Sequence, residues 1–169
     1  DTSPVTFDPR DAAGAYLTVS RYVASFELPK PTIRGETGLS SSPGVEYPEL
    51  ALDQYGVWLH NLPWARLDPS GMYDLYWWTS NIVDNDLYFQ FRPVHDFLAT
   101  IPVDNGQYHD ARAQASDQNV RVVGQSDSEN GRAHLWIQNR AHTWWNVVNG
   151  VGWGRLSGTV AVPGLAPTR

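Results

Sequence analysis

The stretch 29-PKPTIRGETGLS-40 governs the interpretation of the first half of the chain. It opens on two prolines, Pro29 and Pro31, runs briefly apolar, and ends on Glu36 held between Gly35 and Gly38. Prolines interrupt whatever precedes them, and a short run after such a break predicts a strand. Glycine permits backbone conformations and close approaches that other residues do not, so a glutamate flanked by glycines at a strand end is presented to its surroundings. Residues 29–40 therefore predict a strand terminating in a candidate site, Glu36.

Upstream, 8-DPRDAAGAYLTVSRYVASF-26 places Ala12, Tyr16, Val19, Val23 and Phe26 at helical intervals after an Asp-Pro start, which predicts a helix over 9–26. Downstream of a loop rich in Ser, Pro and Gly, 49-ELALDQYGVWLHNLPWARL-67 carries a second helical pattern, interrupted by Gly56 and Pro63. The turn signal Asp-Pro-Ser-Gly comes next, then a short aromatic strand, 72-MYDLYWW-78. The run 87-LYFQFRPVHDFLATIP-102 predicts a third helix, kinked or restarted near Pro93. Residues 9–102 thus alternate helix, strand, helix, strand, helix.

After Pro102 the pattern changes. Short β-like runs appear at 111–116, 119–125, 132–139 and 156–164, and Asn130-Gly131 between the second and third is a hairpin signal. This half predicts an antiparallel sandwich. The expected division is residues 1–102 as one unit and 103–169 as the other.

Composition bounds the function. The chain has 169 residues, 41% of them hydrophobic, enough for one domain or two small ones with a real core. A net charge of −6 and the lack of any basic run disfavour nucleic acid and anionic membranes as partners. No cysteine exists, which removes disulfides and thiolate chemistry. No apolar segment is long enough for a bilayer span, and the first residues lack the pattern of a signal peptide. The unusual quantity is eight tryptophans, whose flat faces suit sugar rings, although cores consume aromatics too.

The order of these features resembles the C-terminal end of retaining glycoside hydrolases of the cellulase and mannanase superfamily, which have (β/α)8 barrels followed by a β-sandwich. The resemblance rests on KPTIRGETG, the helix bearing WLHNLPWARL, the strand MYDLYWW, the helix LYFQFRPVHDFLATIP and the β-rich remainder, taken in that order. It implies the last two β/α units of a barrel and a small antiparallel β-sandwich. In such enzymes the seventh strand ends in Gly-Glu, whose glutamate is the nucleophile, and the eighth ends in a tryptophan that floors the cleavage subsite. The resemblance therefore implies Glu36 as nucleophile, Trp77 or Trp78 as sugar platform, an oligo- or polysaccharide substrate, secretion, and no cofactor. Adjacent strand residues face opposite ways, so at most one of the two tryptophans serves.

One departure matters. The family's acid/base glutamate follows an asparagine on the fourth strand, and only 35 residues precede Glu36 here. The chain is then a piece of a hydrolase, one part of a split enzyme that a complementing N-terminal portion completes, or a module that binds glycan through exposed tryptophans without cutting it. The first two imply exposed sheet edges and self-association.

Other residues have plainer readings. Trp58 and Trp64 fall in a helix and read as core, and Trp136, Trp144, Trp145 and Trp153 read as packing within the β-rich half or against its neighbour. His60, His95, His109, His134 and His142 make no H-x-H or H-E-x-x-H spacing, which gives a transition-metal site no support. Asp84-Asn85-Asp86 lacks the alternation of a calcium loop and reads as a solvated turn.

Overall fold

A computed structural model describes residues 8–27, 32–42, 45–71, 73–76 and 80–165, with backbone alone for 73–76. The first helix, α1 (Ala12–Ala24), starts where Asp11 accepts a hydrogen bond from the Gly14 amide at 3.0 Å, satisfying one of the donors that every helix start leaves open. Strand β1 (Ile33–Thr37) comes next, then a small antiparallel hairpin of β2 (Ser40–Ser42) and β3 (Val45–Glu46). A 3-10 turn over Pro48–Leu52 leads to α2 (Val57–Ala65), and the chain returns as β4 (Tyr73–Tyr76). Strands β1 and β4 pair in parallel, with Ile33 opposite Tyr73 and Thr37 opposite Tyr76. A parallel pair needs a crossover of this length, and α2 lies within it.

The single helical pattern expected across 49–67 is thus split in two. Gly56 causes the break: its φ is +65°, and a Cβ there would meet the Leu87 side chain at 2.9 Å. Pro63 sits inside α2 without ending it. Further on, a short helix, α3 (Ser80–Asp84), precedes the third expected helix, which is itself replaced by a 3-10 turn over Leu87–Gln90 and α4 (Phe91–Leu98). Pro93 falls in the first turn of α4, where its missing N–H breaks no helical bond.

Beyond residue 102 the pairing is antiparallel. The strand expected over 111–116 shortens to β6 (Gln114–Ala115), and a further short strand, β5 (His109–Asp110), comes before it. Arg112 divides them, taking a left-handed φ of +46° while its amide bonds Asp110. The long hairpin of β7 (Val120–Asp127) and β8 (Arg132–Asn139) is unbroken in register from Val120–Asn139 to Asp127–Arg132. Its turn is closed by Asp127, which accepts from the Asn130 backbone and side chain, and by Gly131 at φ +64°. Residues 144–148, read only as aromatic packing, form a helix, α5 (Trp144–Val148), capped by the Thr143 hydroxyl. The last expected strand shortens to β9 (Val160–Ala161), which pairs with β6.

The architecture is therefore mixed helix and sheet, with sheets β1–β4, β2–β3, β5–β7–β8 and β6–β9, and among the described residues no sheet closes into a barrel. One buried cluster joins Tyr16 and Leu17 of α1 and Trp58, Leu59 and Leu62 of α2 to Val123, Trp136 and Trp144 of the second half. Polar links reinforce it. Arg121, 4% exposed, donates to both Asp11 carboxylate oxygens and to Gln138 Oε1, and Trp144 Nε1 donates to the Pro9 carbonyl at 3.0 Å. No described helix is long and apolar enough to cross a membrane.

Candidate functional site

The site begins with the two parallel strands. Arg34 points toward α1: its guanidinium lies 4.7 Å from the centre of the Tyr16 ring and its Nη2 donates to Ser20 Oγ at 3.3 Å. Ile33, beside it on the strand, is 64% exposed. The ladder shifts register between Arg34 and Thr37, so the irregularity falls on Gly35 and Glu36. Such bulges re-aim side chains at strand ends. Glu36 is exposed, one residue before the end of β1, on the strand that lies beside β4.

The glycines around it behave differently from the sequence expectation. Neither Gly35 nor Gly38 has a positive φ, and a Cβ at Gly35 would meet nothing within 4 Å. The other two residues of the expected site, Trp77 and Trp78, lie outside the described residues.

The helix after β4, α3, is anchored by a residue that sequence reasoning missed. Asn81, buried on that helix, accepts from Trp58 Nε1 at 2.7 Å and donates to the carbonyls of Leu50 (2.8 Å) and Asp53 (3.2 Å). Asp53 is itself buried and accepts from the Val57 and Trp58 amides, both at 3.0 Å, which starts α2. Burial pushes the Asp53 carboxyl above the usual carboxylate range, against the pull of those backbone N–H groups. Ser80, next to Asn81, donates to Glu46 Oε2 at 2.6 Å and so ties the start of α3 to the hairpin after β1. No spacing marks Asn81, Ser80 or Glu46, since their partners are 23 to 34 residues away in the chain.

The tryptophans expected in the core include Trp58 and Trp144, both fully buried, and Trp136, 8% exposed. Trp64 is partly buried against Phe97, ring centres 5.3 Å apart, and Trp153 is exposed with His142 edge-on to its ring. His60 Nδ1 lies 3.0 Å from Gln90 Oε1, a structural contact between α2 and the turn before α4. Within the expected solvated turn, Asp86 adopts a left-handed φ of +50°. Among the described residues, no group of three or more His, Asp or Glu side chains is placed to hold a metal ion.

A hollow of about 480 Å³ lies between α2, α4 and the β7–β8 hairpin and is lined mainly by Pro63, Leu67, Val94, Leu98 and Val103. It adjoins the segment entering β4, at the strand end opposite to Glu36. Comparisons with protein-family models, with curated proteins and with solved structures find no match for this chain.

Proposed function

We propose that this chain carries the nucleophile of a retaining glycoside hydrolase that cleaves β-glycosidic bonds in polysaccharides, its first half contributing the last two β/α units of a (β/α)8 barrel and its second half a β-sandwich. The observation that carries this reading is the parallel pairing of β1 and β4, which puts Glu36 near the C-terminal end of one strand with its neighbour leading directly into 77–78. Barrel enzymes of this architecture place their chemistry at that end of their strands.

In this role Glu36 attacks the anomeric carbon, forming a covalent glycosyl intermediate as the bond to the leaving oxygen breaks. A second carboxyl group, about 5–5.5 Å away, donates the proton to that oxygen and then takes one from the incoming water. That group comes from outside the described residues. One of Trp77 and Trp78 supplies the apolar floor under the sugar, and secretion would bring the enzyme to its polymer. The exposed Ile33 on a two-stranded parallel pair supports a larger sheet, because parallel sheets are ordinarily covered on both faces and two strands alone are marginal.

The test is reconstitution. Joined to, or co-expressed with, the six upstream β/α units of such a barrel, the chain is expected to release reducing sugar from β-glucan or β-mannan. Glu36→Gln should abolish turnover while leaving the far-ultraviolet spectrum unchanged. Undiminished hydrolysis by that variant removes Glu36 from the nucleophile role.

A second reading, a non-catalytic glycan-binding module, is favoured by Trp153, a residue 44% exposed beside a shallow cavity lined also by Ile137 and Asn139. The unassisted chain would then bind soluble glucans or mannans with a change in tryptophan fluorescence, and Trp153→Ala would abolish that change.

A further inference from the structure

Strand β8 forms one edge of the β5–β7–β8 sheet. The ladder fixes which of its backbone groups are already spent. The Arg140 amide donates to the Asn119 carbonyl at 2.8 Å in the register of the hairpin, and bonded pairs alternate along an antiparallel ladder. Arg132, His134, Trp136 and Gln138 therefore bond to β7, while Ala133, Leu135 and Ile137 turn their N–H and C=O groups to the free edge. Among the described residues, no other strand or loop backbone bonds to those three. Ala133 is exposed, Leu135 is half-buried and Ile137 is 54% exposed. The segment carrying Trp153 meets the strand at its end, where Asn139 Nδ2 donates to the Gly154 carbonyl at 3.1 Å.

Proteins ordinarily blunt an open edge with a short strand, a charge, a proline or a bulge. The opposite edge of this sheet follows that rule, since β5 has two residues and ends in Asp110. Strand β8 has none of these devices. It is eight residues long and unbroken in register, and neither a proline nor an Asp, Glu, Lys or Arg stands between Arg132 and Asn139.

The occupant that fits is a second β8. The Asn139 carbonyl is taken by the His142 amide at 2.9 Å, and Gly131 at the other end lies in the turn, so the free groups are centred on Leu135. Antiparallel pairing about a two-fold axis at Leu135 sets each outward group against another. Leu135 meets Leu135 of the second copy, and Ala133 meets its Ile137, a small side chain opposite a large one. Arg132 faces Gln138, so no like charges oppose each other. The same register carries Arg140 alongside the turn that holds Glu129 of the second copy. Arg140 and Glu129 are both exposed, and neither has an ion-pair partner among the described residues. Each copy thus supplies the charge that the other lacks.

We propose that the chain forms a two-fold dimer through β8, which joins two three-stranded β5–β7–β8 sheets into one continuous sheet. The hairpin folds within one chain, and the second copy fills its edge. This contact is independent of the glycan reading.

The test is cysteine cross-linking, which is clean because the 169-residue chain has no cysteine of its own. Facing residues in a bonded antiparallel pair lie about 5.5 Å apart at Cα, a span that a disulfide accepts. Leu135→Cys should therefore oxidise to a covalent dimer. Ile137→Cys should not do so by itself, because the two Ile137 positions stand about 13 Å apart along the strands. A mixture of Ala133→Cys and Ile137→Cys chains should cross-link, and serves if the Leu135 variant does not fold. Adding Ile137→Lys to Leu135→Cys should slow dimer formation about tenfold, since the lost apolar pair counts twice across the axis. Ile33→Lys, in the β1–β4 sheet, should leave that rate unchanged. The proposal is overturned if neither Leu135→Cys nor the mixture cross-links faster than Tyr55→Cys, a 75% exposed position in the turn before α2. It is equally overturned by Ile137→Cys dimerising alone as fast as Leu135→Cys, or by a rate that falls with Ile33→Lys instead of Ile137→Lys.

Discussion

The β7–β8 hairpin and the β1–β4 pair are both built from strands, but they stand at opposite extremes of self-sufficiency. In the hairpin eight residues face eight in unbroken register, the turn is closed by Asp127 and Gly131, and Val123 and Trp136 enter the common core. In the parallel pair the ladder shifts register at Gly35 and Glu36, and Ile33 is exposed to solvent. The first region draws its stability from this chain alone. The second is a two-stranded parallel pair with an irregular ladder, and it is the one that carries the candidate carboxylate.

Adding one methyl group to each region tests this difference most severely. At Gly124 a Cβ would lie 2.0 Å from the His134 carbonyl oxygen, on a backbone with φ +155°. Gly124→Ala is expected to cost at least about 3 kcal/mol in urea unfolding, the range of a severe steric defect. Gly35→Ala meets open space and should change stability by less than about 0.5 kcal/mol. Equal effects at the two positions would remove the distinction between a tightly packed ladder and an open one.

Next in size is the clamp between the halves. Arg121→Met leaves Asp11 and Gln138 without their donor, and breaking a buried charge pair of this kind costs about 3 kcal/mol. A thermal melt no lower than that of the parent chain would show the clamp to be dispensable.

Ile33→Lys probes the open face directly. It should alter the unfolding free energy of the isolated chain by less than about 0.5 kcal/mol, because the side chain is already in water. The same change should reduce self-association in sedimentation velocity and block reconstitution with upstream strands, since a charge on an apolar contact face opposes burial. A destabilised monomer with unaltered assembly would mean that β1 already buries this face.

The mildest change is a pH dependence centred on the hairpin side. Burial holds the His134 imidazole below the ordinary histidine value, and burial together with nearby His60 does the same for His142. Both therefore bind protons less readily folded than unfolded. Their contribution to stability is complete above about pH 6.5 and is lost as pH falls from there toward the folded values. His134→Gln should flatten that slope in urea midpoints measured from neutral to mildly acid pH; an unchanged slope would place its origin elsewhere.

Local pattern made some of this legible before any coordinates. The apolar spacing of Ala12, Tyr16 and Val19 after Asp-Pro marks α1, and alternation around Asn130-Gly131 marks the long hairpin, because in both cases the signal and its partners are close in the chain. Parallel pairing of β1 with β4 was legible only through the order of elements around them. The helix at Trp144–Val148 was hidden by aromatic and β-branched residues that carry no helical preference, and its actual signal, a capping Thr143, is a single side chain. Glu46 was hidden for a different reason. A lone glutamate in a loop rich in Ser, Pro and Gly has no periodicity, and what singles it out is its contact with Ser80, 34 residues away in the chain.

The bonds from Arg121 to Asp11 and from Trp144 to Pro9 bear on how the molecule is made. During synthesis α1 leaves the ribosome well before the partners that hold its opening turn, which lie more than a hundred residues further along. The early helices must wait, partly assembled, for the closing third of the chain. A cut near residue 102, attractive from the change of pattern there, would strand the first helix without its arginine and uncover the niche that Trp144 fills.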